Sequence, residues 1–180
     1  MLSGPHPLHE APKSGAHLAA VLNAKHVADV IGTASGLKCC FASLTKGFIA
    51  VVIQSFTTAK KLCVLDRLQE EIVRMNGGQQ LERAKMGIVH MAPKAGRWVE
   101  EMKEIGKTFG EEGGWEEENI FEMVAGVYGV VSGNTVLGKE KTEERDRGKT
   151  MEDAIEAIRE GLSEKVATRQ QGEEERFRRE

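Results

Sequence analysis

A run of small residues stands directly before a lysine in this sequence, and that combination is suited to chemistry on an acid. The run begins at Gly32 and continues through Ala34, Ser35 and Gly36 to Lys38. Small residues let a ligand approach the backbone closely, and the first turn of a helix presents unpaired N–H groups and positive dipole character to an anion. The lysine adds a full charge and a transferable proton. The run therefore predicts a site for a carboxylate or phosphate that needs a general acid or base.

The same residues have a simpler interpretation, which the sequence leaves open. Ser or Thr before a helix is an ordinary N-cap, and a lysine one turn into a helix can extend along it to water. Ser35, Lys38 and Thr45 share one face of the following helix because they lie at helical spacing. That polar stripe on an otherwise apolar helix indicates either a substrate pocket, to which Thr45 contributes, or a solvated strip of surface.

Two segments, in this order, resemble a known family. The first is SGLKCCFASLTKGF at residues 35–48, and the second is PKAGRWVEEMKEI at residues 93–105. Together they resemble the C-terminal domain of 6-phosphogluconate-dehydrogenase-like proteins of the β-hydroxyacid dehydrogenase superfamily, in the branch with an NAD-binding N-terminal half. The resemblance extends over roughly residues 2–138. It implies an all-α domain, built around one long central helix, that binds a small acidic metabolite and forms a homodimer.

The resemblance also implies roles for individual residues. In these domains a lysine on the first long helix acts on the substrate hydroxyl as general base, and Lys38 occupies that place. The backbone from Gly32 to Gly36 would face the acid group of the substrate. A lysine works as a base only where burial or neighbouring charges lower its pKa, and we expect the apolar helix to provide that environment. Ala42 departs from the family, which often has Asn there, so 6-phosphogluconate itself is in doubt as the substrate.

The cofactor domain of the family has no counterpart in this sequence. No Gly-x-Gly-x-x-Gly fingerprint of a dinucleotide site follows a strand. NAD or NADP, which serves the full-length family, is therefore not expected to bind this chain alone, and redox activity of the chain alone is not expected either. Three interpretations follow: the C-terminal piece of a longer dehydrogenase, an independent helical module for dimerisation or acid-metabolite binding, or the partner of a separate cofactor subunit.

Composition predicts a cytoplasmic globular protein and opposes several other classes. The chain has 180 residues, 40% of them hydrophobic and 29% charged, with a net charge of −3. That charge gives no drive toward nucleic acid or an anionic membrane surface, and no unbroken apolar stretch has the length of a membrane span. The first residues do not form a secretory signal. The three cysteines are interpreted as reduced core residues. The five histidines show no metal-ligand spacing, so no metal is expected.

Hydrophobic periodicity predicts helices throughout and no confident strand. The central helix is expected over residues 34–64, apolar on nearly its whole circumference, which indicates burial on several sides and a face shared with a dimer partner. Gly47 is interpreted as a close contact between helices, and Arg97 with Glu101 as an i,i+4 ion pair. Further helices are expected over residues 14–23, 66–75, 79–91, 94–109 and 115–132, with an extended connector over 27–31.

The expected domain organisation has four parts. Residues 1–13 form an irregular remnant of an interdomain connection, and residues 14–138 form the helical dehydrogenase-like domain. Residues 139–149 are a charged linker, because nearly all of them are charged. Residues 150–180 form a C-terminal amphipathic helix, capped by Thr150, whose charged end from residue 170 is expected to be frayed.

Overall fold

Helices dominate the protein, whose computed structural model describes residues 1–141 and 143–177, with the backbone alone for residues 172–177. Helix makes up 74% of the structure and strand 3%, so the all-α class predicted from periodicity is confirmed. The helices are α1 (Gly15–Val21), α2 (Thr33–Lys61), α3 (Leu65–Asn76), α4 (Gly78–Met91), α5 (Ala95–Gly113), α6 (Phe121–Asn134) and α7 (Met151–Phe177). Two short strands, β1 (Leu2–Ser3) and β2 (His26–Ala28), precede α2.

The chain divides into two compact units, Met1–Leu44 and Thr45–Glu180, and the division falls inside α2. The first unit contains both strands, α1 and the beginning of α2. The second contains the rest of α2 together with α3 to α7. The boundaries predicted after residues 13, 138 and 149 are not tested by this division and stay predictions.

A two-stranded parallel sheet organises the first unit. Leu2 of β1 pairs with His26 of β2, and Ser3 pairs with Ala28. The N–H of Gly4 donates to the Ala28 carbonyl at 2.9 Å. Parallel strands need a crossover connection, and the short helix predicted over residues 14–23 supplies it as α1. The extended connector predicted over residues 27–31 is confirmed only in its first part, because β2 ends at Ala28.

The beginning of α2 is exposed, so the burial predicted from its apolar period is wrong there. Phe41 and Leu44 are 71% and 74% exposed, and Leu37 is exposed as well. The residues that the first unit buries are small ones: Gly15, Ala19 and Ser43. A unit of this size, with one other short helix, has too little chain to cover a helix face with large apolar side chains.

The second half of α2 is buried on one side only, so the burial predicted for nearly its whole circumference is wrong here as well, and Val51 is 60% exposed. On its buried side α2 meets α4, α5 and α6. It contributes Ile49, Ala50, Val52, Ile53, Phe56 and Ala59 to the core. Close approach of α4 depends on Gly87, because a Cβ at that position would lie 2.9 Å from Cγ1 of Ile49. The close contact predicted at Gly47 is wrong, since no described atom outside its own helix lies within 4 Å of the place a Cβ would take.

The start of α6 differs from the prediction by six residues, because the side chain of Asn119, two residues before the helix begins, bonds to its first N–H. The helix was expected from Trp115 but begins at Phe121. Oδ1 of Asn119 accepts from the Phe121 N–H at 3.0 Å, and Nδ2 of Asn119 donates to the Gly106 carbonyl of α5 at 2.6 Å. One side chain therefore starts α6 and also fastens it to α5.

A polar cluster from the predicted charged linker fixes the start of α7. Thr150 caps the helix, as predicted, by accepting from the Asp153 N–H at 3.2 Å. The Asp153 carboxylate accepts from the Gly148 N–H at 2.5 Å and from Nε of Arg147 at 2.7 Å. Arg145 donates to a carbonyl of α4 at 2.9 Å. These bonds tie the linker to α4 and to the start of α7.

Only the first part of α7 buries its apolar stripe. Met151, Ile155 and Ile158 are buried, whereas Leu162 and Val166 are exposed. The backbone is helical to Phe177, so the fraying predicted from residue 170 is wrong as far as that residue. Residues 178–180, the remainder of the predicted tail, lie outside the described residues.

By length and composition alone, α2 could cross a membrane. Among the described residues it is the one helix that passes such a test, with a mean hydropathy of 1.6 over an eighteen-residue window of which 28% is buried. One such helix is weak support for a membrane span, because the core helix of a soluble protein passes the same test. Lys46 lies in the middle of α2, and a charged side chain is costly at the centre of a bilayer.

Candidate functional site

Gly32 turns the chain into α2 and leaves open space beside its backbone. Its φ is +95°, a conformation that favours glycine. Apart from the adjacent residues and the nearby backbone of α2, no described atom lies within 4 Å of a Cβ built at Gly32 or at Gly36. The hydroxyl of Thr33, the first residue of α2, donates to the Val30 carbonyl at 3.1 Å. The backbone at this turn is therefore accessible to a ligand.

Three of the first N–H groups of α2 are already bonded inside the first unit, and that of Thr33 donates to the Val30 carbonyl at 3.5 Å. Oγ of Ser3 accepts from the Ala34 N–H at 3.1 Å, and the Gly36 N–H donates to the Gly32 carbonyl at 3.0 Å. The Ser3 hydroxyl stands where an oxygen of an anionic ligand would meet the helix N-terminus. An acid group would have to displace that hydroxyl. Sequence analysis did not place Ser3 here, because no pattern relates two residues thirty-one positions apart.

Lys38 is accessible but not enclosed, which differs from the expected environment. Its side chain is exposed, and the described residues provide it with no ion pair or hydrogen bond. The burial expected from the apolar helix is wrong at this residue, because its neighbours Leu37 and Phe41 are themselves exposed. Ser35, one turn earlier, is exposed too. The structure therefore places these predicted site residues on open surface.

The predicted site residues are divided between the two units. Thr45 is half-buried and begins the second unit. The others belong to the first unit: Gly32, Ala34, Ser35, Gly36 and Lys38. Their joint action on one substrate stays a prediction.

A second lysine on α2, Lys46, is the one that is largely buried, and sequence analysis did not single it out. Its side chain is 13% exposed, and its Nζ forms an ion pair with Oε2 of Glu101 on α5. Oε1 of Glu101 accepts from Nε of Arg97 at 3.1 Å, so the predicted Arg97–Glu101 pair is confirmed. The Lys46 ammonium also lies 5.3 Å from the centroid of the Trp98 ring. The two segments that carry the family resemblance therefore meet in this Lys46 cluster.

The side chain of Tyr128, on α6, binds the backbone of α2 at the same turn. Its hydroxyl donates to the Lys46 carbonyl at 2.5 Å, and its ring meets Trp98 edge-on with centroids 5.2 Å apart. Burial raises the pKa of Tyr128 well above its ordinary value, and a smaller opposite effect of the Ala50 backbone does not offset it. The neutral phenol is a hydrogen-bond donor at physiological pH. The turn that opens the second unit is thus fastened from both α5 and α6.

The cysteines do not form the core that was predicted for them. Cys39 is half-buried, and Cys40 and Cys63 are exposed. In the described parts of the chain, no group of three or more His, Cys, Asp or Glu has the arrangement to hold a metal ion. The groups near the start of α2 that suit an acid ligand are the Lys38 ammonium, the Ser3 hydroxyl and helix N–H groups.

Comparison with known proteins gives a family match in the second unit. The model of a domain of unknown function (DUF1932) matches residues 59–131, from the end of α2 to near the end of α6. Domains of that family form the C-terminal helical part of NAD-binding 6-phosphogluconate-dehydrogenase-like proteins. Neither the curated proteins nor the solved structures give a significant match. The matched range is less than half of the chain and includes the α5 and α6 members of the Lys46 cluster, but neither Lys38 nor Lys46.

Proposed function

We propose that this chain is the substrate-binding and dimerisation domain of a cytoplasmic NAD(P)-dependent oxidoreductase of the β-hydroxyacid or 6-phosphogluconate dehydrogenase type. The observation that carries the proposal is the family match over residues 59–131. The motif segment at residues 35–48 lies outside the matched range, so it supports the same family from different residues. The substrate would be a small acidic metabolite that carries a hydroxyl group.

Lys38 is the proposed general base of this reaction. The acid group of the substrate would bind at the first turn of α2, taking the Ala34 N–H from the Ser3 hydroxyl. Nζ of Lys38 would then accept the proton of the substrate hydroxyl. An amine is a better base where it is desolvated, so the exposed surface around Lys38 and Phe41 would have to be covered during the reaction.

The described residues do not themselves fit a dinucleotide. β1 and β2 have two and three residues, and neither is followed by the glycine-rich turn that receives a pyrophosphate. The hydride acceptor, NAD or NADP, would be held by a different domain. Binding of the acid and transfer of the proton are therefore the parts of the reaction that belong to the residues described.

The alternative is a non-catalytic helical module for dimerisation or acid-metabolite binding. The exposure of Lys38, and the fit of the described residues to an acid but not to a dinucleotide, favour this second candidate. It shares the acid site at the start of α2 with the first proposal. It differs because Lys38 would then only bind the acid and would not move a proton.

The deciding experiment is sequencing of the native transcript upstream of Met1. An in-frame strand followed by a glycine-rich turn supports the oxidoreductase. A stop codon close upstream refutes a longer catalytic chain and supports the module or a separate cofactor subunit. If the longer chain exists, Lys38→Ala should reduce NAD(P)-dependent turnover of a short 3-hydroxy acid by roughly 10²–10⁴-fold.

A matched control and a binding measurement accompany that variant. Lys61→Ala removes an exposed lysine from the last turn of the same helix and should leave turnover unchanged. Circular dichroism of both variants shows whether the fold is intact. For the chain alone, calorimetric titration with 3-hydroxybutyrate should give binding that Lys38→Ala weakens. If the Lys38→Ala variant binds 3-hydroxybutyrate as tightly as the original chain does, Lys38 has no role in either candidate function.

A further inference from the structure

A cleft in the second unit, between α2, α6 and α7, involves none of the candidate site residues described above. Its volume is about 370 Å³. Ile53, Val131 and Ile158 line it and are buried. Gln54 and Thr58, both exposed, add an amide and a hydroxyl to the lining. The cleft therefore has apolar walls and a polar mouth.

The absence of charged residues from the described lining of the cleft indicates an uncharged ligand. None of the described residues that line it is ionisable. A carboxylate or phosphate would lose its hydration there without gaining a partner, which is costly. The cleft is therefore complementary to an uncharged molecule, and this separates it from the acid site proposed at the start of α2.

The volume of the cleft and the hydroxyl of Thr57 define the class of ligand more closely. Its volume falls in the range of small-molecule sites, and at about 25 Å³ per heavy atom it holds roughly 10–15 of them. The hydroxyl of Thr57, which is buried, already donates to the Ile53 carbonyl at 2.7 Å. Thr57 can therefore only accept a hydrogen bond from a ligand. We propose that the cleft binds an uncharged apolar alcohol or phenol, with its hydroxyl directed to Thr57 or to the polar mouth.

The proposal is tested with 1-naphthol, a neutral bicyclic phenol, and with 1-naphthoate, which has the same rings and a negative charge. Both are titrated into the full chain by calorimetry. 1-Naphthol should bind saturably with one molecule per chain, and 1-naphthoate at least about tenfold more weakly. Absence of saturable 1-naphthol binding, or equal binding of the two probes, would overturn the proposal.

Three variants locate the binding. Val130→Phe, on α6, fills the cleft and should reduce 1-naphthol affinity at least about tenfold. Leu162→Ala removes part of the wall from α7, where the residue is partly exposed and its loss is compatible with folding, and it should also weaken binding. Val73→Phe is the matched control, because this valine is exposed on α3 away from the cleft, and it should leave binding unchanged.

A second copy of the chain is the competing occupant, and sedimentation separates it from a small molecule. If the protein is a dimer that Val130→Phe dissociates while 1-naphthol has no effect, the cleft is a subunit contact and the proposal is refuted. If 1-naphthol binds and Val130→Phe abolishes its binding without changing the sedimentation coefficient, the proposal stands. Circular dichroism of each variant shows that loss of binding is not loss of the fold.

Discussion

Gly161→Ala should destabilise the protein although alanine is the better helix former. Gly161 is buried on α7, where the helix crosses the end of α6. A Cβ at this position would overlap the carbonyl oxygen of Asn134, the last residue of α6, and would lie 2.8 Å from Cγ2 of Thr135. The overlap is with backbone, which cannot rotate away as a side chain can. The two helices would have to separate by about 1 Å to restore van der Waals contact.

The expected magnitude is the difference between two opposing effects. Replacing glycine by alanine inside a helix stabilises it by up to about 1 kcal/mol. Overpacking a well-filled contact costs about 1–3 kcal/mol, and occasionally more. Because the clash is with main chain and α7 is long, we place the cost at the upper end and expect a net loss of about 1–2 kcal/mol. For a chain of this length that corresponds to roughly 2–4 °C in Tm for each kcal/mol.

Urea titration followed by circular dichroism measures the effect, with Gly126→Ala as the matched control. Gly126 is exposed on α6, and no described atom outside its own helix lies within 4 Å of its Cβ position. That variant should be as stable as the original chain or more stable by up to about 1 kcal/mol. A Gly161→Ala protein with a midpoint equal to or above that of the original chain would refute the packing of α7 on the end of α6.

Three further outcomes are expected. Asn119→Ala removes the hydrogen bonds of this side chain to the first N–H of α6 and to the Gly106 carbonyl of α5, and should lower the free energy of unfolding by about 1–2 kcal/mol in urea; an unchanged midpoint would contradict the revised start of α6. Tyr128→Phe should cost about 0.5–1.5 kcal/mol by removing the bond to the Lys46 carbonyl. Because the pKa of Tyr128 is raised in the folded state, its contribution is present below about pH 10 and is lost as the pH rises further, a loss that the variant should not show in alkaline titrations. Burial opposes the shift, but the Arg147 side chain and a backbone N–H hold the pKa of Asp153 below its usual value. Its contribution should therefore be present above about pH 4 and be lost below that, and Asp153→Asn should reduce this acid loss in stability.

The helices that sequence analysis located well are those with local stop signals. α3 was expected over residues 66–75 and spans Leu65–Asn76, ended by Gly77 with a φ of +83°. α4 was expected over residues 79–91 and spans Gly78–Met91. Glycine and proline act through their own backbone geometry, so their effect can be read from the chain itself. The start of α6 was missed because Asn119, which bonds to the first N–H of the helix, is held by the Gly106 carbonyl of α5, and that contact depends on how α5 and α6 pack.

At the candidate site, too, a contact between residues far apart in the chain decides the outcome, as two of the lysines of α2 show. Lys38 and Lys46 both lie on an apolar helix, and local pattern favoured burial around Lys38. The structure buries Lys46 instead, because Glu101, fifty-five residues later, reaches it from α5. A long-range ion pair leaves no periodic trace in one sequence, whereas the i,i+4 pair of Arg97 and Glu101 does and was predicted correctly. The motif therefore identifies Lys38 as the candidate base, whereas only the fold shows which lysine is buried.

The exposed first half of α2 bears on the choice between the two proposed functions. A helical period of apolar residues indicates that one face of the helix is suited to burial. It does not specify whether that face packs against the same chain or against another one. In the second unit the cover comes from α4 to α6, whereas in the first unit Phe41 and Leu44 remain open. A cofactor domain and a second subunit would each cover such a face, and a cofactor domain would in addition desolvate Lys38 for proton transfer. Covering of this face by a second subunit, with no change in the accessibility of Lys38, would therefore support the non-catalytic module over the oxidoreductase.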